Sequence, residues 1–494
     1  MEDYGVLSLL PPVLAIVFAI ATRQVFVSLL FGIWLGWMII NDFNLIQGSL
    51  ATVQALVDVY QDPGNTRTIM FCALVGALII FIQRSGGVAG FILRINALLD
   101  KYEARKSGSN RVVVQLLASV TGILIFVESN ISVLTVGTLY RPIFDKLGIP
   151  REKLAYIADS TSAPASILIP FNGWGAYIMT LLLAQGFADP FATMFRAMQY
   201  NFYPMLALLI VFVLIVTGRD FGPMARAEKR AREEGKLLAD GAQPMISDEL
   251  TDVEVLPGIV PKAYNMVMPI VIMVLMMPIM LAYTGWSVAL EKMPEAGFLS
   301  KALFAVGQGS GSTAVLIAVL FSILSTMIFY RAQKLMRLRE MVDLTLKGIS
   351  GMMPLALLMM MAFAIGAVCK ELSTGDYVAG VAKNWLSPGL VPFIVFVVSS
   401  FIAFSTGTSW GTFAIMIAIA VPMARTMEAD VYITIAAALG GGVFGDHCSP
   451  ISDTTILSSM ASAGDHIDHV KTQLPYAMTG GIFAALFYLF IGLM

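Results

Sequence analysis

GGGVFGDHCSPISDTTILSS, residues 440–459, is the stretch on which the reading of this chain turns. Its flanks are as apolar as lipid, yet Asp446, His447 and Asp453 fall within eight residues around Pro450. Glycine weakens a helix interior, and proline disfavours helical geometry in the residue before it, here Ser449. The spacing predicts a helix over 431–445 that loosens at the three glycines and ends near Gly445. A second helix, capped by Ser452 or Asp453, is predicted to resume through TTILSSMASA. Such a segment is a broken membrane span, because unwound backbone survives in lipid only where protein buries it or a cavity receives it.

The rest of the chain agrees with that reading. Of 494 residues, 57 % are hydrophobic and 13 % charged, with a mean hydropathy of +0.80, whereas soluble domains carry about 25 % charged residues. Apolar runs recur from the first decade of residues to the last, and about eleven to thirteen are long enough to cross a bilayer core. No alternating barrel pattern is visible, so the expected fold is an all-α polytopic membrane protein with broken helices and re-entrant hairpins. The opening MEDYGVLSLL is acidic and leads into a full span, which is expected to remain in the mature protein. A net charge of −2 gives no footprint for nucleic acid. Cys72, Cys369 and Cys448 stand far apart, which argues against a disulfide framework or a CxxC metal site; the first two read as small buried hydrophobes.

One long hydrophilic stretch, 218–262, separates an N-terminal membrane repeat (1–217) from a C-terminal one (263–494) and resembles a hinge. Its basic first part, with Arg219, Arg226, Lys229, Arg230, Arg232 and Lys236, is expected in the cytoplasm. A second basic cluster, Arg331 to Lys347, follows two further spans and returns to the same side. Two inverted halves are expected, and two registers relate them. An interval of 280 pairs Ser129 with Ser409, Pro142 with Pro422 and Pro170 with Pro450, but leaves only four of fifty positions identical over 128–177. An interval of 294 pairs IADST (157–161) with ISDTT (451–455), and is preferred because it superposes the chemistry.

Hard monovalent cations such as Na⁺ and Li⁺ favour carboxylate, hydroxyl and carbonyl oxygens. The break supplies Asp446, Ser449, Ser452, Asp453, Thr454, Thr455 and carbonyls freed from the helix; FSTGTS adds Thr408 and Ser409. The first half supplies Glu128, Ser129, Asn130, Asp159, Ser160 and Thr161. A lone carboxylate inside a membrane costs at least about 2.5 kcal/mol, so it persists when paired with a cation or a proton. A carboxylate that takes Na⁺ when ionised and H⁺ when neutral exchanges the two, the minimal chemistry of antiport. Any single Asp also reads as a helix cap, and Glu128 as half of an ion pair across the bundle. His447, with an ordinary pKa of about 6.5, reads as a proton relay, a pH-sensitive modulator or a hydrogen-bonding cap. Asp465, His466, Asp468 and His469 read as a loop between spans; two histidines without a nearby cysteine make a poor zinc site. Pro475 and Tyr476 are expected to begin the final span. Trp174 and Trp410 read as cavity wall or as interfacial anchors.

The run GGGVFGDHCSPISDTTILSSMASAGDHIDHVKTQLPYA, with FSTGTSWGTF and ADSTSAP, resembles the hallmarks of the NhaC family of sodium/proton antiporters, within the ion-transporter superfamily. The resemblance implies a secondary transporter in the plasma or inner membrane of a prokaryote, driven by ion gradients and using no cofactor. It supports Asp446, Ser449, Asp453 and Thr454 in one half and Asp159 and Ser160 in the other. The expected activity is exchange of Na⁺ or Li⁺ for H⁺, with Na⁺ held at Asp453, Asp446 and Asp159, and with Asp453, Asp446 and His447 in proton coupling. Na⁺-coupled carriage of a small organic carboxylate or amino acid is the alternative, motivated by Asn130, Asn172 and Trp174. A homodimer stays open. A channel or an intramembrane enzyme has less support, for want of a selectivity-filter repeat, an HExxH motif or a Ser/His dyad.

Overall fold

Backbone amides that cross hydrocarbon must be bonded within their own segment, and the chain meets that demand with helices. The structure is a computed structural model that describes residues 4–22, 24–91, 93–94, 110–126, 129–244, 259–382 and 386–494. Among these, β-structure is limited to an isolated bridge between Pro244 and Asp465. Among the described residues nine helices are long and apolar enough to cross a membrane, and Arg151–Leu168 with Gly173–Ala184, bent by 43°, makes a tenth, against the eleven to thirteen expected from the sequence. Four shorter apolar helices accompany them. Glu128 and the acidic part of the linker, 247–254, lie outside the described residues.

The helices that position the site are α1 (Pro63–Arg84), α2 (Asn110–Leu124), α3 (Ser129–Lys146), α4 (Arg151–Ser160), α5 (Ala163–Leu168), α6 (Gly173–Ala184), α7 (Phe202–Thr217) and α8 (Gly222–Glu233) in the first half. The second half contributes α9 (Tyr264–Lys292), α10 (Gly311–Ala332), α11 (Leu338–Glu371), α12 (Val391–Thr406), α13 (Ser409–Thr426), α14 (Val431–Cys448), α15 (Asp453–Ala461) and α16 (His466–Leu493). Two separate hydrophobic cores form. The larger joins α1, α6, α9 to α14 and the upper part of α16. The smaller joins α2, α3, α4, α7 and α8 through Val114, Tyr140, Leu154, Ile157, Leu214 and Met224, with Tyr476 of α16. Asp159, Ser160 and Thr161 end α4, and His447 ends α14, where these two cores meet.

Helix starts recur at an interval of 280: Ser129 and Ser409, Arg151 and Val431, Gly173 and Asp453. The interruptions 169–172 and 449–452 keep the same spacing. The preferred interval of 294 fails on geometry, because IADST closes α4 whereas ISDTT spans a break and opens α15.

Two further expectations are corrected. α14 neither loosens at Gly440–Gly442 nor ends at Gly445, but runs unbroken to Cys448. Its glycines permit close approach: a Cβ on Gly441 would stand 2.4 Å from Phe396 O, and one on Gly445 2.1 Å from Ser400 O, both on α12. Small residues four apart let two membrane helices touch backbone to backbone, and that packing outweighs glycine's poor helix propensity. The final helix begins at His466, not near Pro475, because the Asp465 side chain accepts from Asp468 N and caps it; Pro475 lies inside the helix.

Candidate functional site

Arg151 Nη1 donates to Ala463 O at 2.9 Å, which ties the charged ends of α4 and α15 to one level. From there α4 rises ten residues to Ser160, and α15 spans nine from Ala461 back to Asp453. At 1.5 Å per residue both climb about 14 Å, close to half of a bilayer core about 30 Å thick. Asp159 and Asp453 therefore lie at similar distances along their helices from that contact.

Asp446, in the last turn of α14, is buried and accepts at Oδ2 from Ser409 Oγ, the first residue of α13. Its Oδ1 is buried without a hydrogen-bond partner among the described residues. Ser160, next to Asp159, meets His447, next to Asp446, and Thr455, two residues beyond Asp453, donates to Asp159, so hydrogen bonds link the segments that carry these three carboxylates. Asp453 is exposed while its neighbours Ser452 and Thr454 are buried. Ser452, expected to cap α15, makes no cap bond and instead meets Thr454 Oγ1 at 3.2 Å; Asp453 accepts from Thr454 N at 2.8 Å.

Asp159, fully buried, accepts at Oδ2 from Gln473 Nε2 (2.7 Å) and Thr455 Oγ1 (3.2 Å), with His469 Nε2 at 3.5 Å. Its Oδ1, like Asn130 Oδ1 and Gln473 Oε1, is buried and unpartnered among the described residues. His447 is held at both ring nitrogens, Nε2 by Ser160 Oγ (3.0 Å) and Nδ1 by Tyr203 Oη (2.6 Å). The unpaired buried oxygens of the two carboxylates are of the kind a hard cation seeks.

Other expected ligands are committed to structure. Ser449 Oγ donates to Phe404 O at 2.7 Å and receives Ile451 N, bracing the break. Thr161 Oγ1 donates to Ile157 O. Ser129 is buried in the first turn of α3, and Thr408, half-buried, sits in extended backbone at the start of α13. The carbonyls expected to be free at the break are partly taken: His447 O by Gln473 Nε2 (2.6 Å) and Pro450 O by His466 Nε2 (2.6 Å). Trp174 and Trp410 pack on each other with centroids 4.8 Å apart, and Trp174 is buried, so the pair lines the junction of the two halves rather than anchoring an interface. Asn172 is fully used, donating to Phe126 O and Ser166 O and capping Gly175 N.

Sequence reasoning missed His469, Gln473 and Tyr203. A signal existed for the first two: His466, His469, Gln473 and Tyr476 are spaced as one helix face. The linker helix α8 docks on α4 and α2 by the ion pairs Glu152–Arg230 (2.8 Å) and Arg111–Glu228, and just ahead of it Asp220 pairs with Lys153.

A model of the Na⁺/H⁺ antiporter family matches residues 183–493. An uncharacterized protein of Haemophilus influenzae is 31 % identical over 99 % of this chain and 91 % of its own length. The malate-2H⁺/Na⁺-lactate antiporter of Bacillus subtilis is 26 % identical over 24 % of this chain and 28 % of its own. The YdaH transporter of Alcanivorax borkumensis shares the fold, with a TM-score of 0.53 at 12 % identity over 90 % of this chain and 89 % of that one. A multi-pass helical bundle with this family match is a transporter rather than an enzyme, and the chain belongs to the Na⁺/H⁺ antiporter family.

Proposed function

We propose that the protein exchanges Na⁺, or Li⁺, for H⁺ by alternating access. The observation that carries this reading is that hydrogen bonds join the segments bearing Asp446, Asp453 and Asp159, and that Asp446 and Asp159 each keep a buried oxygen unpartnered among the described residues. In the exchange, Asp446 and Asp453 take the cation when ionised and protons when neutral, with Asp159 completing the far wall. Ser409 orients Asp446 and Ser449 braces the break; Thr408 and Thr454 supply hydroxyl oxygens, Ser129, Asn130, Ser160 and Thr161 line the opposing half, and His447 relays or senses the proton. The halves 1–217 and 263–494 act as inverted repeats joined by a cytoplasmic linker, 218–262, in a prokaryotic plasma or inner membrane. In proteoliposomes an imposed pH gradient should drive ²²Na⁺ uptake without added organic solute; no such flux would refute the reading.

A second reading, Na⁺-coupled movement of a small carboxylate, draws on the similarity to the malate/lactate antiporter. Asn172 has both amide protons committed to backbone carbonyls, so it has no N–H to offer a carboxylate. Thermal stabilisation by an organic acid only when Na⁺ is present would favour it.

A further inference from the structure

The first turns of α16 bring four polar side chains to one face, and each meets a different part of the transport core. Tyr476 Oη donates to Asp220 Oδ1 at 2.6 Å. His469 stands beside Asp159, and His466 holds Pro450 O. Gln473 does two things at once. Its Nε2 donates to Asp159 Oδ2 at 2.7 Å and to His447 O at 2.6 Å. An amide nitrogen has two protons, so both are spent: one on a carboxylate carried by α4, the other on the carbonyl that ends α14 beside the break. The side chain is 1 % exposed, so water cannot substitute for either partner.

Withdrawing one partner would leave a buried N–H unpaired, an arrangement far costlier than the bond was worth. A change in the bonding of Asp159 is therefore felt, through this one amide, at the end of α14, and the reverse holds equally. We propose that Gln473 is a positioning residue that couples Asp159 of the first half to the broken helix of the second, so that proton movement is tied to cation movement. The inference rests on the antiport reading and adds to it a residue outside both breaks. Gln473 touches neither cation nor proton in this scheme; it makes two elements change state together.

The measurement is proton flux into proteoliposomes, read by an internal pH dye with and without Na⁺, on wild type, Gln473→Ala and Gln473→Glu. Wild type should move protons chiefly when Na⁺ is present, with a small Na⁺-independent leak. Alanine removes both donations, and glutamate keeps the length and volume but supplies no N–H when ionised. In both variants the ratio of Na⁺-dependent to Na⁺-independent proton flux should fall about tenfold, the equivalent of one lost charge-assisted hydrogen bond. If alanine prevents folding, the near-isosteric glutamate variant carries the test. A merely structural role would lower both fluxes together and leave the ratio intact, and that result overturns the inference alone. A wild-type protein with no Na⁺-dependent proton flux overturns the antiport reading and this inference with it.

Discussion

Gly445→Ala tests whether the close approach of α14 to α12 is what aims Asp446. An added Cβ would lie 2.1 Å from Ser400 O, 2.6 Å from Phe404 N and 2.8 Å from the Ala403 Cβ. Two of these are backbone atoms in a continuous helix, so they cannot swing aside as a side chain would. Relieving the contact requires α14 to move outward by about 1 Å. Overpacking of this kind costs about 1–3 kcal/mol, and the better helix propensity of alanine returns up to about 1 kcal/mol. The net loss should be about 1–2 kcal/mol, a modest fall in thermal stability with the fold retained.

Transport should suffer more than stability. Asp446 follows Gly445 directly and accepts from Ser409 Oγ on α13, a helix that the shift does not carry along. A displacement of about 1 Å stretches a charge-assisted hydrogen bond beyond useful length, and one such bond corresponds to about tenfold or more in affinity. Gly351→Ala in α11 is the control, because nothing lies within 4 Å of its Cβ position, and it should be neutral or slightly stabilising. Thermal unfolding in detergent and Na⁺ uptake in liposomes read the two effects separately. If Gly445→Ala melts and transports like Gly351→Ala, helix contact does not position the carboxylate and the argument fails.

Asp453→Asn should abolish exchange while expression and thermal stability stay near wild type; normal uptake in that variant would remove the centre of the cation site. Lys153→Met or Asp220→Asn should each cost about 3–5 kcal/mol, because Lys153 is 1 % exposed and either change leaves a buried charge unpaired. The double variant should unfold at a higher temperature than either single variant, and a fully additive loss would argue against the pairing. At Asp465, slight burial pushes the carboxyl up, but the amides of Gln243, Asp468 and Ile467 outweigh it and hold it below the ordinary carboxylate range. A depressed folded-state pKa contributes stability above about pH 4 that is lost as pH falls through the folded value. Asp465→Ala should therefore lower the unfolding temperature at pH 7, with the gap to wild type closing towards about pH 3; a gap independent of pH would sink this account.

The break around Pro450 was legible because its signals are local: a proline, the extended residue before it, and a helix restart three residues later. The polar segments that carry Asp446, Asp453 and Asp159 were legible too, since charge in so apolar a chain has few places to go. What escaped was set by contacts distant in sequence. Local composition makes GDHIDHVKTQ resemble a loop, although Asp465 three residues before Asp468 is a capping pattern that could have been read. The three glycines of α14 signal weakness only when the neighbouring helix is out of sight. Asp220, Glu228 and Arg230 look like solvated linker charges until α2 and α4 bring Arg111, Lys153 and Glu152 to meet them.

The interval of 280 separates architecture from chemistry. Helix starts, interruptions and internal prolines repeat at that spacing, so the backbone of one half is a guide to the other. The reactive groups do not repeat. Ser409 corresponds to Ser129, but Asp446 corresponds to Ser166 and Asp453 to Gly173. Asp159 in turn corresponds to Leu439, which is packed in the larger hydrophobic core. The interval of 294 matched letters precisely because it ignored this, superposing the end of one helix on the start of another. The carboxylates thus converge from inequivalent positions of an equivalent framework. The second half contributes charge at its break, and the first half contributes Asp159 from the end of a short helix ahead of its own. A site built that way needs a connection between its two sides that the repeat itself does not provide. Gln473 on α16, bonded to Asp159 and to the end of α14, is where the structure places one.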